Sequence, residues 1–267
     1  MPNVQLTFPE GKHKVLTMSY DDGRSADRRL LHLFNQYGIK GTFHLNSGLA
    51  GHHERIPLEE VKDLYKGHEI AVHTVTHPTL TRCSREQIVG EIIEDRKSIE
   101  RVTGYPIRGF SYPNGSFNRQ IQEMLPHLGI EYARTVLSHG NFHLPDDYFA
   151  WNPTCHHNQN LLALTETFKQ LGRRQHLYLM YIWGHSYEFD QDSNWELIES
   201  FCESVSGRED IWYATNIEIV DYMRIYQSLR FSAAMDLVYN PSYHSLWLEV
   251  NGEVIEVKGG SQIILVR

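Results

Sequence analysis

Short apolar runs and amphipathic stretches take turns along most of the chain. KVLTMSY (14–20) is a run of strand type. Behind it Leu30, Leu31, Phe34 and Tyr37 recur at helical spacing, with Ser25 as a plausible N-cap and Gly38 as the stop. IKGTFHL (39–45) and HEIAVH (68–73) read as the next strands, separated by a helix LEEVKDLYK (58–66) that Gly67 terminates. Ser84 with Gln87 forms a capping-box pattern opening a helix to about Val102. The series continues with strands IRGFSY (107–112), IEYARTV (130–136), LYLMYIW (177–183) and IWYAT (211–215), and with helices around 116–128, 160–171, 195–205 and up to about Leu229. The stretch 138–158 has no clear period. Such alternation implies parallel strands joined by helical crossovers, hence an α/β barrel or open sheet of about seven strands.

From Phe231 the pattern changes. SLWLEV and EVIEVK flank Asn251-Gly252, a strong hairpin signal. The organisation expected is a barrel over 1–229 and a small antiparallel β extension over 230–267, packed on it without a low-complexity linker. The extension holds none of the chemistry-bearing groups described below, so it is expected to shape substrate access or an oligomer contact.

Composition narrows the partners. A chain of 267 residues can bury about 75% of its unfolded surface, so it needs neither disulfide nor metal merely to hold together. With 33 acidic against 25 basic residues the formal charge is −8, which leaves no basic excess for a nucleic-acid partner. Cys83, Cys155 and Cys202 are odd in number and widely spaced, and read as reduced thiols. No leader-like segment and no run near the roughly 20 apolar residues of a membrane span is visible, so a cytoplasmic setting is expected. Composition leaves the oligomeric state open.

The chemistry gathers at predicted strand ends. Asp21 and Asp22 close the first strand, His73 and His77 lie at the end of the third, Tyr112-Pro113 closes the fourth, and His185 follows LYLMYIWG. In a parallel barrel these ends share one face, where the active sites of barrels are found. Taken alone, DDG is a turn and His185 a core histidine; together they bring titratable groups to one place. The HxxxH spacing is informative too. Four residues of strand span about 13 Å, whereas two nitrogens on one zinc lie no more than about 4 Å apart. Pro78 disfavours helix at His77, so only a tight turn after His73 would let both bind one ion.

SYDDG and HTVTHP resemble the first and second motifs of the polysaccharide deacetylase superfamily, also called carbohydrate esterase family four, and the resemblance runs over about residues 14 to 225. It implies a distorted (β/α) barrel that deacetylates amino sugars with a divalent metal, zinc by ligand type. By the same resemblance Asp22, His73 and His77 hold the metal, Asp21 is the general base and His185 the general acid. The family's third motif usually reads RPPYG, its arginine orienting the base. Here RGFSYPNG puts Ser111 where arginine is expected and Asn114 in place of tyrosine, leaving Arg108 as the candidate arginine. The fourth motif, an Asp-Trp pair, has no clear counterpart. Tyr112, Pro113, Asn114, Trp151, His156, His157 and Trp183 are candidates for lining the substrate or oxyanion site, the two adjacent histidines being alternatively a solvated turn. Two other readings keep the barrel: a hydrolase of a small amide or cyclic imide, with or without metal, and a non-catalytic carbohydrate-binding protein.

Overall fold

The computed structural model describes residues 2–265. A short strand β1 (Val4–Thr7) precedes β2 (Lys14–Asp21), α1 (Asp27–Tyr37), β3 (Gly41–Leu45), α2 (Leu58–Leu64), β4 (Glu69–Val72), α3 (Arg85–Thr103), β5 (Gly109–Ser111), α4 (Arg119–Met124) and β6 (Tyr132–Arg134). Then come β7 (Cys155–His156), α5 (Leu161–Gln170), β8 (Tyr178–Gly184), α6 (Glu188–Gln191), α7 (Trp195–Val205), β9 (Ile211–Tyr213) and α8 (Asn216–Ser228). Five strands end the chain: β10 (Arg230–Phe231), β11 (Leu237–Tyr239), β12 (Leu246–Val250), β13 (Glu253–Val257) and β14 (Gln262–Ile264). The helices start and stop where their caps dictate. The Ser84 side chain accepts from the Gln87 N–H at the start of α3, and Gly38 and Gly104 end α1 and α3 in the left-handed conformation.

The seven strands expected from the sequence are present and parallel, in the order β6-β5-β4-β3-β2-β8-β7, with β9 pairing the first half of β2. The addition is β7, only two residues long, in the stretch that lacked a period. Its surroundings bend the sheet round on itself. The Trp151 N–H donates to the Ala133 carbonyl (3.0 Å) and its own carbonyl accepts from Thr135 (3.0 Å), while Thr154 and His157 donate to the carbonyls of Tyr181 (2.7 Å) and Trp183 (2.9 Å). One parallel bridge, Arg134 to Trp151, thereby joins the two ends of the sheet into a distorted (β/α) barrel.

Strand alternation sorts the side chains into two layers. Leu16, Met18 and Tyr20 of β2 face outward and pack with Phe34, Phe43, Ile70, Phe110 and Ile182 in the core between strands and helices. The intervening positions face inward and are polar. Thr17 Oγ1 donates to Asn216 Oδ1 (2.8 Å), Ser19 Oγ meets His44 Nε2 (2.9 Å), and Asp21 comes last. Lower in the barrel, Glu69 accepts from the Tyr132 hydroxyl (2.7 Å), the Thr42 hydroxyl (2.9 Å) and the Ile217 N–H (2.8 Å) at the start of α8. A buried polar group is tolerated when it is hydrogen-bonded in this way.

The chain's two ends meet in one sheet. β12 pairs antiparallel with both β13 and β1, and Asn251 (φ 52°) and Gly252 (φ 89°) make the hairpin turn, the left-handed geometry that Asn-Gly favours. Pairing of residues 4–7 with 247–250 is a contact of very high sequence separation, which no local pattern announces. Leu246, Leu248, Val250 and Val257 are buried with Phe8, Val15, Leu179 and Tyr222, at the end of the barrel where β2 and β8 begin. That is the end opposite the candidate side chains. Cys83, Cys155 and Cys202 are free, and no helix among the described residues is long and apolar enough to cross a membrane.

Candidate functional site

Asp21 and Asp22 leave β2 in different directions. Asp21 continues the inward phase and is buried, where its carboxylate pairs with the Arg134 guanidinium and Oδ1 accepts from Ser111 Oγ (3.1 Å). Burial would raise this carboxyl, but the Arg134 charge, helped by His73, His44 and His185, more than offsets it and holds Asp21 well below the usual carboxylate range. Asp22 adopts a left-handed backbone (φ 78°), held by its N–H donating to the His44 carbonyl (2.9 Å). Such a conformation costs about 1–3 kcal/mol outside glycine and is found where the structure over-determines it. Oδ1 of Asp22 is buried with no hydrogen-bond partner, 3.8 Å from Arg55 Nη2 and 3.9 Å from His77 Nε2.

The two histidines meet through a turn. β4 ends at Val72, Thr74 (φ 70°) and His77 (φ 60°) are left-handed, and the Asn46 amide donates to the carbonyls of His73 (2.5 Å) and Thr74 (3.0 Å). The chain folds back in the tight turn expected after His73, and the His73 and His77 rings lie 4.8 Å apart. His73 Nδ1 donates to the Ser111 carbonyl (2.9 Å), which leaves the Nε2 lone pair free, and its backbone N–H donates to Asp95 (3.0 Å). Burial lowers the His73 imidazole to about 4, so it is neutral, as a ligand must be. Ligand atoms of Asp22, His73 and His77 all lie within 4.8 Å of one another. One orphaned carboxylate oxygen facing two imidazoles fits a divalent cation.

His185 follows β8, half-buried. Its backbone N–H donates to Glu188 Oε2 (3.0 Å) and its Nδ1 lies 3.3 Å from Glu188 Oε1. Burial alone would lower its pKa, but Glu188, Asp21 and Asp22 raise it above the usual imidazole value. Trp183 sits between the groups, its ring 4.5 Å from the Arg134 guanidinium and 5.9 Å from the His185 ring.

Asp21, Asp22, His73, His77, Trp183 and His185 are thus brought to one end of the barrel, with His156 and His157 beside His185. Others are not. Arg108 lies elsewhere: its guanidinium is held by Glu131 (2.6 Å) and Asp221 (2.9 Å), and the arginine on Asp21 is Arg134. Arg108 falls three positions before Ser111 on the other side of a short strand, so it cannot reach Asp21. Tyr112 faces outward, stacked on Phe117 with its hydroxyl donating to the Phe149 carbonyl (2.7 Å), and Pro113 is buried. Asn114 is exposed at the rim, and its amide reaches Thr79 (3.3 Å). Trp151 is core, ringed by Tyr132, Tyr148 and Tyr181. His157 is fully buried, which a solvated turn would not be. Sequence reasoning passed over Arg134, Arg55 and Glu188. For Arg134 a signal existed: an arginine at the inward-facing end of a buried strand needs an anion, and Asp21 ends another strand of the same sheet.

Residues 9–133 match the polysaccharide deacetylase family model. The peptidoglycan-N-acetylglucosamine deacetylase PgdA of Listeria monocytogenes is 27% identical over 118 residues, 43% of this chain and 25% of that protein. Chitin deacetylase 1 of Cryptococcus neoformans is 30% identical over 118 residues, 43% of this chain and 24% of that protein. The chain therefore matches about a quarter of the length of these curated relatives. Among solved structures, a Mycobacterium smegmatis protein classed with the polysaccharide deacetylases superimposes with a TM-score of 0.63 at 17% identity, over 85% of this chain and 96% of that one. The Xyl-CE4 domain of a multidomain xylanase from the Trinervitermes trinervoides hindgut metagenome gives 0.55 at 16% identity, over 80% and 92%. These two likenesses are of fold. The DDG and HxxxH motifs stand at the strand ends of this barrel, and the polysaccharide deacetylase family model matches across both over residues 9–133, just under half of the chain, which bears out the resemblance to that superfamily.

Proposed function

We propose that the chain is a metal-dependent hydrolase that removes acetyl groups from N-acetylated (or O-acetylated) sugars. The observation that carries the reading is the buried, unpartnered Asp22 Oδ1 facing His73 and His77, with a second, ionised carboxylate, Asp21, directly beside it. The names of the relatives point to N-acetylglucosamine units as the substrate class.

Asp22, His73 and His77 would hold the ion, zinc by donor set. When bound, it supplies Lewis-acid charge and makes a water a better nucleophile at neutral pH. Asp21, kept ionised by Arg134, accepts the proton of the attacking water. Ser111 and Arg134 occupy both of its oxygens from the barrel side, which fixes its orientation. His185, with Nδ1 turned to Glu188, presents Nε2 to the departing nitrogen and gives it a proton. Trp183 offers an apolar wall for a sugar ring.

Acetate release from chitooligosaccharides and from a small acetamide, measured with as-purified, chelated and zinc-restored protein, tests the reading. Activity should vanish on chelation and return with metal. Full activity in protein shown to be metal-free would overturn the metal role, and no acetate from any acetylated sugar with metal bound would overturn the substrate class.

A further inference from the structure

Beside His185 lies a cluster of which the proposed reaction uses only Glu188, through its other oxygen, as the partner of His185 Nδ1. Glu188 Oε2 is 3.1 Å from His156 Nε2 and 3.3 Å from His157 Nε2, and the three ligand atoms lie within 4.8 Å of one another. Atoms sharing one tetrahedral ion at about 2.0–2.1 Å are about 3.3 Å apart, so the two spacings to the carboxylate are already those of a ligand set.

His157 supplies an independent observation. It is fully buried, and neither of its ring nitrogens has a hydrogen-bond partner. Nε2 is near the carboxylate yet not aimed along a hydrogen bond to it, as expected of a ligand directed at a point between donors. The ring cannot turn to find another partner. Phe189 stacks on it at 4.2 Å and Tyr20 lies almost parallel at 5.7 Å. Its Nδ1 edge abuts Gly184, where a Cβ would fall 2.1 Å from Nδ1, so only glycine admits the ring in this position.

We propose that His156, His157 and Glu188 form a second cation site, for a first-row divalent ion such as zinc or cobalt, distinct from the Asp22–His73–His77 site. Two imidazoles and one carboxylate suit such ions and not magnesium or calcium, which prefer oxygen donors. The site is the weaker of the two. His156 Nδ1 accepts from the Asn158 N–H (3.2 Å), so without an ion the His156 proton sits on Nε2. Loading moves that proton to Nδ1 and turns the N–H of exposed Asn158 away. Glu188 Oε1 stays with His185 Nδ1, so an ion here fixes the carboxylate that faces His185. The proposal does not depend on the deacetylase reading.

The test is metal counting on the full chain without a histidine tag, stripped by chelation, equilibrated with graded zinc(II) or cobalt(II), and read by elemental analysis and cobalt absorption. The wild type should saturate at two ions in two steps. Asp22→Ala should keep the weaker ion and lose the tighter one. His157→Phe, and Glu188→Gln at the half-buried edge in case the first variant fails to fold, should each keep only the tighter one. A wild type that saturates at one ion, lost in Asp22→Ala and unaffected in Glu188→Gln, would overturn the proposal and make the cluster a hydrogen-bonded brace for His185. Two ions in Glu188→Gln would overturn it equally.

Discussion

Asp21 and Asp22 share a peptide bond and little else. One faces into the barrel against a guanidinium; the other, on a left-handed backbone, faces two imidazoles. Their replacements should therefore separate. Asp22→Ala should lose the ion of the Asp22–His73–His77 site and activity together. Asp21→Asn cannot accept a proton and should lose roughly a hundredfold or more in rate while keeping metal. His185→Ala should also keep the metal ion of Asp22, with a smaller loss on an activated aryl ester whose leaving group needs no proton. Metal content beside rate for each variant decides; an emptied site in Asp21→Asn with a filled one in Asp22→Ala would reverse the roles. The arginines offer a second contrast. Arg134→Gln breaks a fully buried pair, a change that costs about 3–5 kcal/mol, and frees Asp21 to rise, so the acidic limb of the pH–rate profile should move toward neutrality. Arg108→Ala touches a half-exposed network and should cost at most about 1 kcal/mol, with the rate unchanged. Asp21, Asp22, His73 and His185 were legible because motif and strand end coincide. Arg134 was not, because motif spacing counts along the chain whereas the guanidinium arrives from β6, with three strands between it and β2 in the sheet.

At the scale of elements, what could be read was what is local. Gly38, the Ser84–Gln87 cap and Asn251-Gly252 each fix backbone geometry within a few residues, and the structure has a boundary at each. The two-residue β7 was illegible because its pairing is set by β8 and not by any local pattern of its own, and Pro153 interrupts the run. One element contact carries a pH dependence. Glu69 opens β4 and accepts from the N–H of Ile217 in the first turn of α8, and burial, opposed by its hydrogen bonds, pushes its carboxyl up to about 7. A folded-state pKa above the ordinary 4.5 means that its stabilising contribution is complete below about pH 4.5 and is lost as pH rises through about 7. Glu69→Gln should remove that dependence. Urea midpoints from pH 4 to 8 should fall less steeply in the variant, by up to about 1.4 kcal/mol per pH unit; parallel curves would show that Glu69 titrates as it does when unfolded.

For the whole molecule, the N-terminal strand and the C-terminal extension depend on each other. Removing residues 231–267 would strip β1 of its partner and uncover apolar surface around Phe8, Tyr222 and Leu179. Four buried side chains of the extension, Leu246, Leu248, Val250 and Val257, are worth about 1.5–3 kcal/mol each. Their sum is comparable with the whole stability of a typical protein, about 5–15 kcal/mol. A truncation at Leu229 should therefore fail to accumulate as a folded monomer, measured by circular dichroism and soluble yield, while full-length protein with surface changes in β13 should keep its activity. A folded truncation would show the barrel to be self-sufficient.

The single bridge that completes the barrel has a further consequence. Arg134 contributes its backbone to that seam and its side chain to Asp21, so one residue both closes the barrel and holds the proposed general base. On warming, a sheet closed by so short a seam should part there before its other strands separate, and the guanidinium would leave with the backbone. Inactivation should then run ahead of unfolding. Amide hydrogen exchange would record it as early loss of protection at Trp151 and Thr135, at temperatures where the amides of β2 and β8 are still closed.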